Sequence, residues 1–357
     1  MKNLFATKKG IFAVGIFIGL IAVVLQKMGN PANMGVCVAC FCRDIAGALG
    51  LHRAAVVQYM RPEIIGFVLG SMAAAFAFKE FKPRAGSAPV VRFVLGFFAA
   101  IGALVFLGCP WRALLRLAGG DMNALAGIAG LVAGIWIGIL FIKSGYNLGR
   151  SQTTYASAGL IMPAVMVGLL ILAMVQPQLA TGPALFSSKE GPGSMHAPLF
   201  LSLAAGLVIG ILAQRTRFCT VGAVRDVILV RDFYLMLGVA GLVAGAFIGN
   251  LVFGQFHPGM IGQPIAHTDT LWNFAGMVLA GLAFTLAGGC PGRQLFMSGE
   301  GDGDAAVFVF GLLAGAAFAH NFGIAASGKG IGEWSALFVT IGLASCITIG
   351  LTMRKKI

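Results

Sequence analysis

Long apolar runs alternate with short, tighter segments along most of the chain. Runs of about 17–25 apolar residues have the length of a bilayer-spanning helix. Ten such runs lie near 11–27, 60–79, 90–107, 122–142, 157–176, 197–213, 233–253, 271–287, 303–322 and 334–353. Four shorter segments interrupt them, at 33–52, 109–119, 217–231 and 290–299. These are too short and polar to span, yet too apolar for ordinary loops. They read as re-entrant half-helices, which are tolerated at membrane depth only where protein buries them or water reaches them. The pattern predicts an all-α polytopic membrane protein of about ten transmembrane helices plus four short re-entrant ones.

Composition agrees. Hydrophobic residues are 58 % of the chain and charged residues 10 %, against about 25 % charged in soluble domains. The net charge of +13 is not read as a nucleic-acid footprint, because cytoplasmic loops of membrane proteins are rich in Lys and Arg. With the N-terminus inside, 17 of the 25 basic residues, Lys2, Lys355 and Lys356 among them, fall on the cytoplasmic side. That bias places both termini in the cytoplasm. Six of the eight exceptions lie in or beside the two short segments of the first half. The first apolar run follows Lys8 and Lys9 as a signal peptide would, but QKMGNP follows it rather than a small-residue cleavage site, so it is read as a retained helix. The 52 glycines, spaced as in GLVAG (241–245) and GLLAG (311–315), are read as helix-packing positions.

The chain also repeats itself. CVACFCRD (37–44) matches CTVGAVRD (219–226) at an offset of 182, with Cys, Arg and Asp coinciding. GCPWR (108–112) matches GCPGR (289–293) at 181, as do Gly120–Asp121 with Gly301–Asp302 and GLVAG (130–134) with GLLAG (311–315). Several motifs in one order at one offset indicate duplication. The halves are 1–178, with Cys segments 33–52 and 109–119, and 179–357, with Cys segments 217–231 and 290–299. Five spans in each half force the second copy upside down. This is an inverted repeat, with the substrate path at its interface.

The duplicated segments carry the chemistry. Proline suits the first turn of a helix, so Cys109 and Cys290 precede helix starts, which offer free N–H groups and partial positive charge to anions. Arg112 and Arg293 follow by one turn. Thiols there donate weak S–H bonds. The set Cys37, Cys109, Cys219, Cys290, Arg112, Arg293, Arg43 and Arg225 suits a soft anion carrying sulfur or selenium. The competing reading of Arg43–Asp44 and Arg225–Asp226 is an ion pair bracing the fold. Cys346 is read as a buried apolar residue. Cys40 and Cys42 face Gly222 and Val224 in the other half. Cys37 and Cys40 form a C-x-x-C, which leaves a membrane thiol oxidoreductase or sulfur-transfer enzyme as the alternative function. The pair is not duplicated, and zinc wants four ligands, so no metal or cofactor is expected. His196, His257 and His267 are read as solvated in outer loops. No Asp or Glu sits at the centre of a span, where ion-coupled carriers usually place one. With no phosphate loop either, passage between thiols and helix ends is favoured over proton coupling or an enzyme. A neutral-solute channel would leave the duplicated Arg unexplained.

NMGVCVACFCRDIAGALGLHR (33–53), RFCTVGAVRD (217–226), FLGCPWR (106–112) and LAGGCPGR (286–293) resemble the YeeE/YedE family of bacterial membrane proteins, the first most like its YedE branch, which is associated with selenium. The resemblance implies uptake of thiosulfate or a selenium species through an inverted twofold fold, with Cys37, Cys109 and Cys290 handing the substrate on and Cys219 matched through the repeat. It also implies a soluble sulfur-carrier protein on the cytoplasmic side.

Overall fold

Local signals start and stop the helices where the apolar pattern predicts. Prolines 62, 89, 110 and 291 occupy first helical turns, where a missing N–H costs nothing. Thr7, Asp269 and Asp302 cap other helices through side-chain oxygens that accept from Gly10, Trp272 and Ala305. The computed structural model describes residues 5, 7–179 and 182–354; Lys2, Lys355 and Lys356, which entered the charge argument, lie outside them. The helices are α1 (Lys8–Lys27), α2 (Val38–Ala48), α3 (Pro62–Ala77), α4 (Pro89–Phe106), α5 (Pro110–Ala118), α6 (Asn123–Lys143), the single turn α7 (Ala156–Gly159), α8 (Ile161–Val175), α9 (Leu199–Thr216), α10 (Thr220–Val230), α11 (Tyr234–Val252), α12 (Thr270–Ala287), α13 (Pro291–Gly299), α14 (Gly303–Asn321) and α15 (Ser335–Thr352). Strand content is two antiparallel two-residue pairs, β1 (Arg84–Ala85) with β2 (Gln152–Thr153) and β3 (Gln178–Leu179) with β4 (Gly182–Pro183).

Among the described residues eight helical runs are long and apolar enough to cross a membrane. The protein is an all-α polytopic membrane protein. Three of the runs, Pro89–Ala118, Leu199–Val230 and Thr270–Gly299, are a long helix followed at once by a short one. Each break has a left-handed residue, Leu107, Arg217 or Gly288, two residues before its cysteine. The expected spans 60–79 and 157–176 are shorter than their apolar runs. They fold as α3 and α8, of 16 and 15 residues, because Pro62 fixes the start of one and a turn at Leu160 delays the other. The four short helices α2, α5, α10 and α13 fall inside the interrupting segments. Every residue of α2 is buried, which explains an apolar sequence too short to span.

Long helices of the first half pack on long helices of the second: α1 on α11, α3 on α9, α4 on α14 and α6 on α12. Glycines make these approaches possible. A Cβ at Gly15 or Gly19 would collide with the carbonyls of Gly238 or Leu242, and one at Gly241 or Gly245 with those of Phe12 or Ile16. Gly311 and Gly315 meet Phe93 and Phe97 in the same way. The GxxxG spacings are therefore packing positions, as expected.

Candidate functional site

The first short helix is fixed before it begins. Asn30 donates to the Gly35 carbonyl at 3.1 Å and to Glu63 at 2.7 Å, and Gly35 abuts the Ala22 backbone. Cys37 is thereby set as the N-cap of α2, its sulfur accepting from the Cys40 N–H at 3.5 Å. Cys109 is the N-cap of α5 and makes no side-chain capping bond. Its sulfur lies 3.8 Å from that of Cys37. Arg112, one turn into α5, directs Nη1 at Cys40 Sγ (3.8 Å) and at the Leu107 carbonyl, and Nη2 at the Ile265 carbonyl (3.0 Å). Cys37, Cys40, Cys109 and Arg112 are all fully buried.

The second half assembles a parallel group. Cys219 caps α10, accepting from Gly222 at 3.2 Å, and also accepts from the Cys290 N–H at 3.4 Å. Cys290 caps α13 and accepts from the Arg293 N–H at 3.4 Å. The cysteines thus form two stations, Cys37 with Cys109 and Cys219 with Cys290, each at the adjoining N-termini of two short helices.

Their charges differ. Among the described residues Arg112 has no ion-pair partner, and its Nε has no hydrogen-bond acceptor. A guanidinium stays charged in protein, and burying it without a carboxylate is expensive. Arg293 instead pairs with Glu300 at 3.1 Å, and Glu300 also takes Arg217 at 2.8 Å. Beside them Glu80 accepts from Gln214 and Arg217. Burial opposes ionisation of Glu80, but the Gln214 and Arg215 donors and the Arg217 charge hold its pKa below the usual carboxylate value.

The family comparison bears on these stations. Residues 215–353, which include Cys219, Cys290 and Arg293, match the family model described as sulphur transport. Over that stretch, which is less than half of its length, the chain is similar to this sulphur-transport family. A thiosulfate transporter, TsuA, from Escherichia coli K12 is 27 % identical over 107 residues, 30 % of this chain and 30 % of the relative. TsuA from Spirochaeta thermophila is 32 % identical over 103 residues, 29 % of this chain and 31 % of the relative. The chain thus spans a little under a third of the length of the curated relatives it matches.

In this chain Arg43 and Arg225 are both engaged by their neighbours. Arg43 Nε donates to Asp44 at 2.8 Å and Arg225 Nε to Asp226 at 2.8 Å, so both duplicated pairs are ion pairs. The first is enlarged by Arg61, which donates to the other Asp44 oxygen at 2.7 Å and to the carbonyls of Pro192 and Met195. Nothing in the motif signals Arg61. Cys37 thus has a sulfur neighbour, Cys109, from outside its C-x-x-C. His267, expected in solvent, is buried, with Nε2 2.8 Å from the Val105 carbonyl; the loop carrying it folds down over the end of α4. His196 and His257 are exposed as expected.

Proposed function

We propose that this protein carries a small sulfur-containing anion across the bacterial inner membrane, as a transporter and not an enzyme, by way of the two cysteine stations. The carrying observation is Arg112. A fully buried cation with no carboxylate partner among the described residues, beside Cys37, Cys40 and Cys109, calls for an anion as its counter-charge, and thiols as neighbours favour a polarisable one. Thiosulfate follows from what the two relatives are named for; selenium oxyanions are the finer possibility raised by the resemblance of segment 33–53. A cytoplasmic sulfur carrier would receive the cargo.

The relay needs two halves of opposite orientation. Support comes from the helix contacts. Exchanging α1, α3, α4 and α6 with α9, α11, α12 and α14 turns the α1–α11 contact into α9–α3, and the α4–α14 contact into α12–α6; all four contacts exist. With both termini cytoplasmic, Cys37 and Cys109 form the outer station and Cys219 and Cys290 the inner one. The test is uptake of labelled thiosulfate and labelled selenite, side by side, in cells with and without the protein. Thiosulfate uptake that depends on the chain is the expected result. Identical uptake of both compounds with and without it would end the proposal.

A further inference from the structure

Trp111 lies two residues after Cys109, in the first turn of α5, and is completely buried. Its ring is 5.3 Å from that of Phe218, the residue before Cys219, and 6.1 Å from that of Phe296 on α13. Phe67 of α3 closes the same cluster at 6.0 Å. A Cβ built at Gly292, two residues after Cys290, would lie 3.3 Å from indole Cε2 and Cζ2 and 3.4 Å from Nε1. One indole therefore touches the chain neighbours of cysteines at both stations. Its position in the repeat corresponds to Gly292 itself, and two indoles would not fit at this place.

Among the described residues the indole N–H has no hydrogen-bond partner. Buried Trp N–H groups usually find one, and each orphan needs an explanation. Simple core filling would be served by phenylalanine, as at Phe67, Phe218 and Phe296. Resting on the transport reading above, we infer that Trp111 is the specificity-determining partition between the two stations. Its ring blocks passage at rest, and its free N–H donates to the anion as the anion moves from the Cys37–Cys109 side to the Cys219–Cys290 side. The preferred cargo then combines soft sulfur for the thiols with an oxyanion acceptor for the indole.

The test uses the full-length protein in proteoliposomes. Trp111→Phe keeps the ring and removes the donor; thiosulfate uptake should fall roughly tenfold, the scale of one hydrogen bond to a charged group, with sulfate still excluded. Trp111→Ala should admit sulfate. In a third variant Trp136, Trp272 and Trp334 are replaced by Phe, and thiosulfate should shift the emission of the remaining indole. Undiminished thiosulfate uptake by Trp111→Phe, or an emission spectrum indifferent to saturating thiosulfate, overturns the assignment. If Trp111→Ala does not fold, the other two arms still decide. Wild-type protein that moves no thiosulfate sinks the transport reading instead, and the emission titration still reports on the indole.

Discussion

The two stations are built from one motif and hold their charge differently. In the first half Arg112 is sealed in the core with carbonyls and a sulfur for company. In the second, Arg293 is tied to Glu300, and the Glu80–Arg217 cluster lies beside it. An unbalanced cation binds an anion strongly; a balanced one lets it go. On the transport reading proposed above, this difference would supply a direction: the first station would capture and the second release, with the ion-pair network lowering the field that would otherwise hold the cargo.

The largest effects should be common to both stations, because each needs its thiol. Cys109→Ala and Cys290→Ala should each reduce thiosulfate uptake at least roughly 100-fold, as expected when a buried charged ligand loses its partner, with the protein still present in the membrane. Wild-type uptake by either variant would end the relay.

The arginines should separate the stations. Arg112→Met should lower uptake by roughly 100-fold and Arg293→Met by about tenfold or less, given the strength of hydrogen bonds to charged groups. Stability should move the other way. Removing an uncompensated buried charge relieves a cost, so Arg112→Met should raise the Tm in detergent. Removing Arg293 leaves Glu300 with Arg217 alone, so Arg293→Met should lower it. Equal losses of uptake, or a Tm lowered by Arg112→Met, would dissolve the contrast.

Much of this was legible in the sequence because membrane helices are written in long apolar runs and broken by few residue types. The helix start after each Cys-Pro pair was readable from the proline, whereas the pairing of Cys37 with Cys109 and of Cys219 with Cys290 came only with the structure. The acid that neutralises Arg293 was missed in the sequence, although comparing the halves could have found it. Glu300 corresponds to Gly119 at the offset of 181, so one half has a carboxylate that the other lacks. What could not be read is what distant loops supply. The Ile265 carbonyl at Arg112, the Pro192 and Met195 carbonyls at Arg61 and the burial of His267 come from segments with no motif. Their contribution is a backbone oxygen or a covering surface, which any residue provides. The pairing of α3 with α9, which holds both stations in one core, likewise rests on Gly66 and Gly206, and glycine alone does not name its partner.

The duplicated Arg–Asp pair sharpens the comparison through stability rather than transport. Around Asp44 the side chains of Arg43, Arg61 and Asp44 are at most 2 % exposed, whereas Arg225 and Asp226 are 31 % and 25 % exposed. Breaking a buried pair costs about 3–5 kcal/mol, and a hydrated one about 0–1 kcal/mol. Asp44→Asn should therefore strongly lower the thermal midpoint, and Asp226→Asn should barely move it. Comparable shifts would mean that the two pairs carry equal weight and that the first half is no more rigid than the second.

The smallest effect expected is at Cys40, where the halves differ by a single side chain. Gly222 stands at its place in the second half, so the second station lacks this sulfur. Arg112 Nη1 lies 3.8 Å from Cys40 Sγ while keeping its carbonyl contacts. Sulfur is a weak acceptor, so the contact tunes the guanidinium and does not hold it. Cys40→Ala, which preserves helix propensity better than Cys40→Gly, should reduce thiosulfate uptake about two- to fivefold, the scale of a bond worth ~0.5–1 kcal/mol. Because the lost group is a soft neighbour of the cation, the reduction should be larger for thiosulfate than for selenite, measured on the same vesicles. A loss as great as that of Arg112→Met would make Cys40 a station of its own, and the first half would then hold three thiols on the path against two in the second.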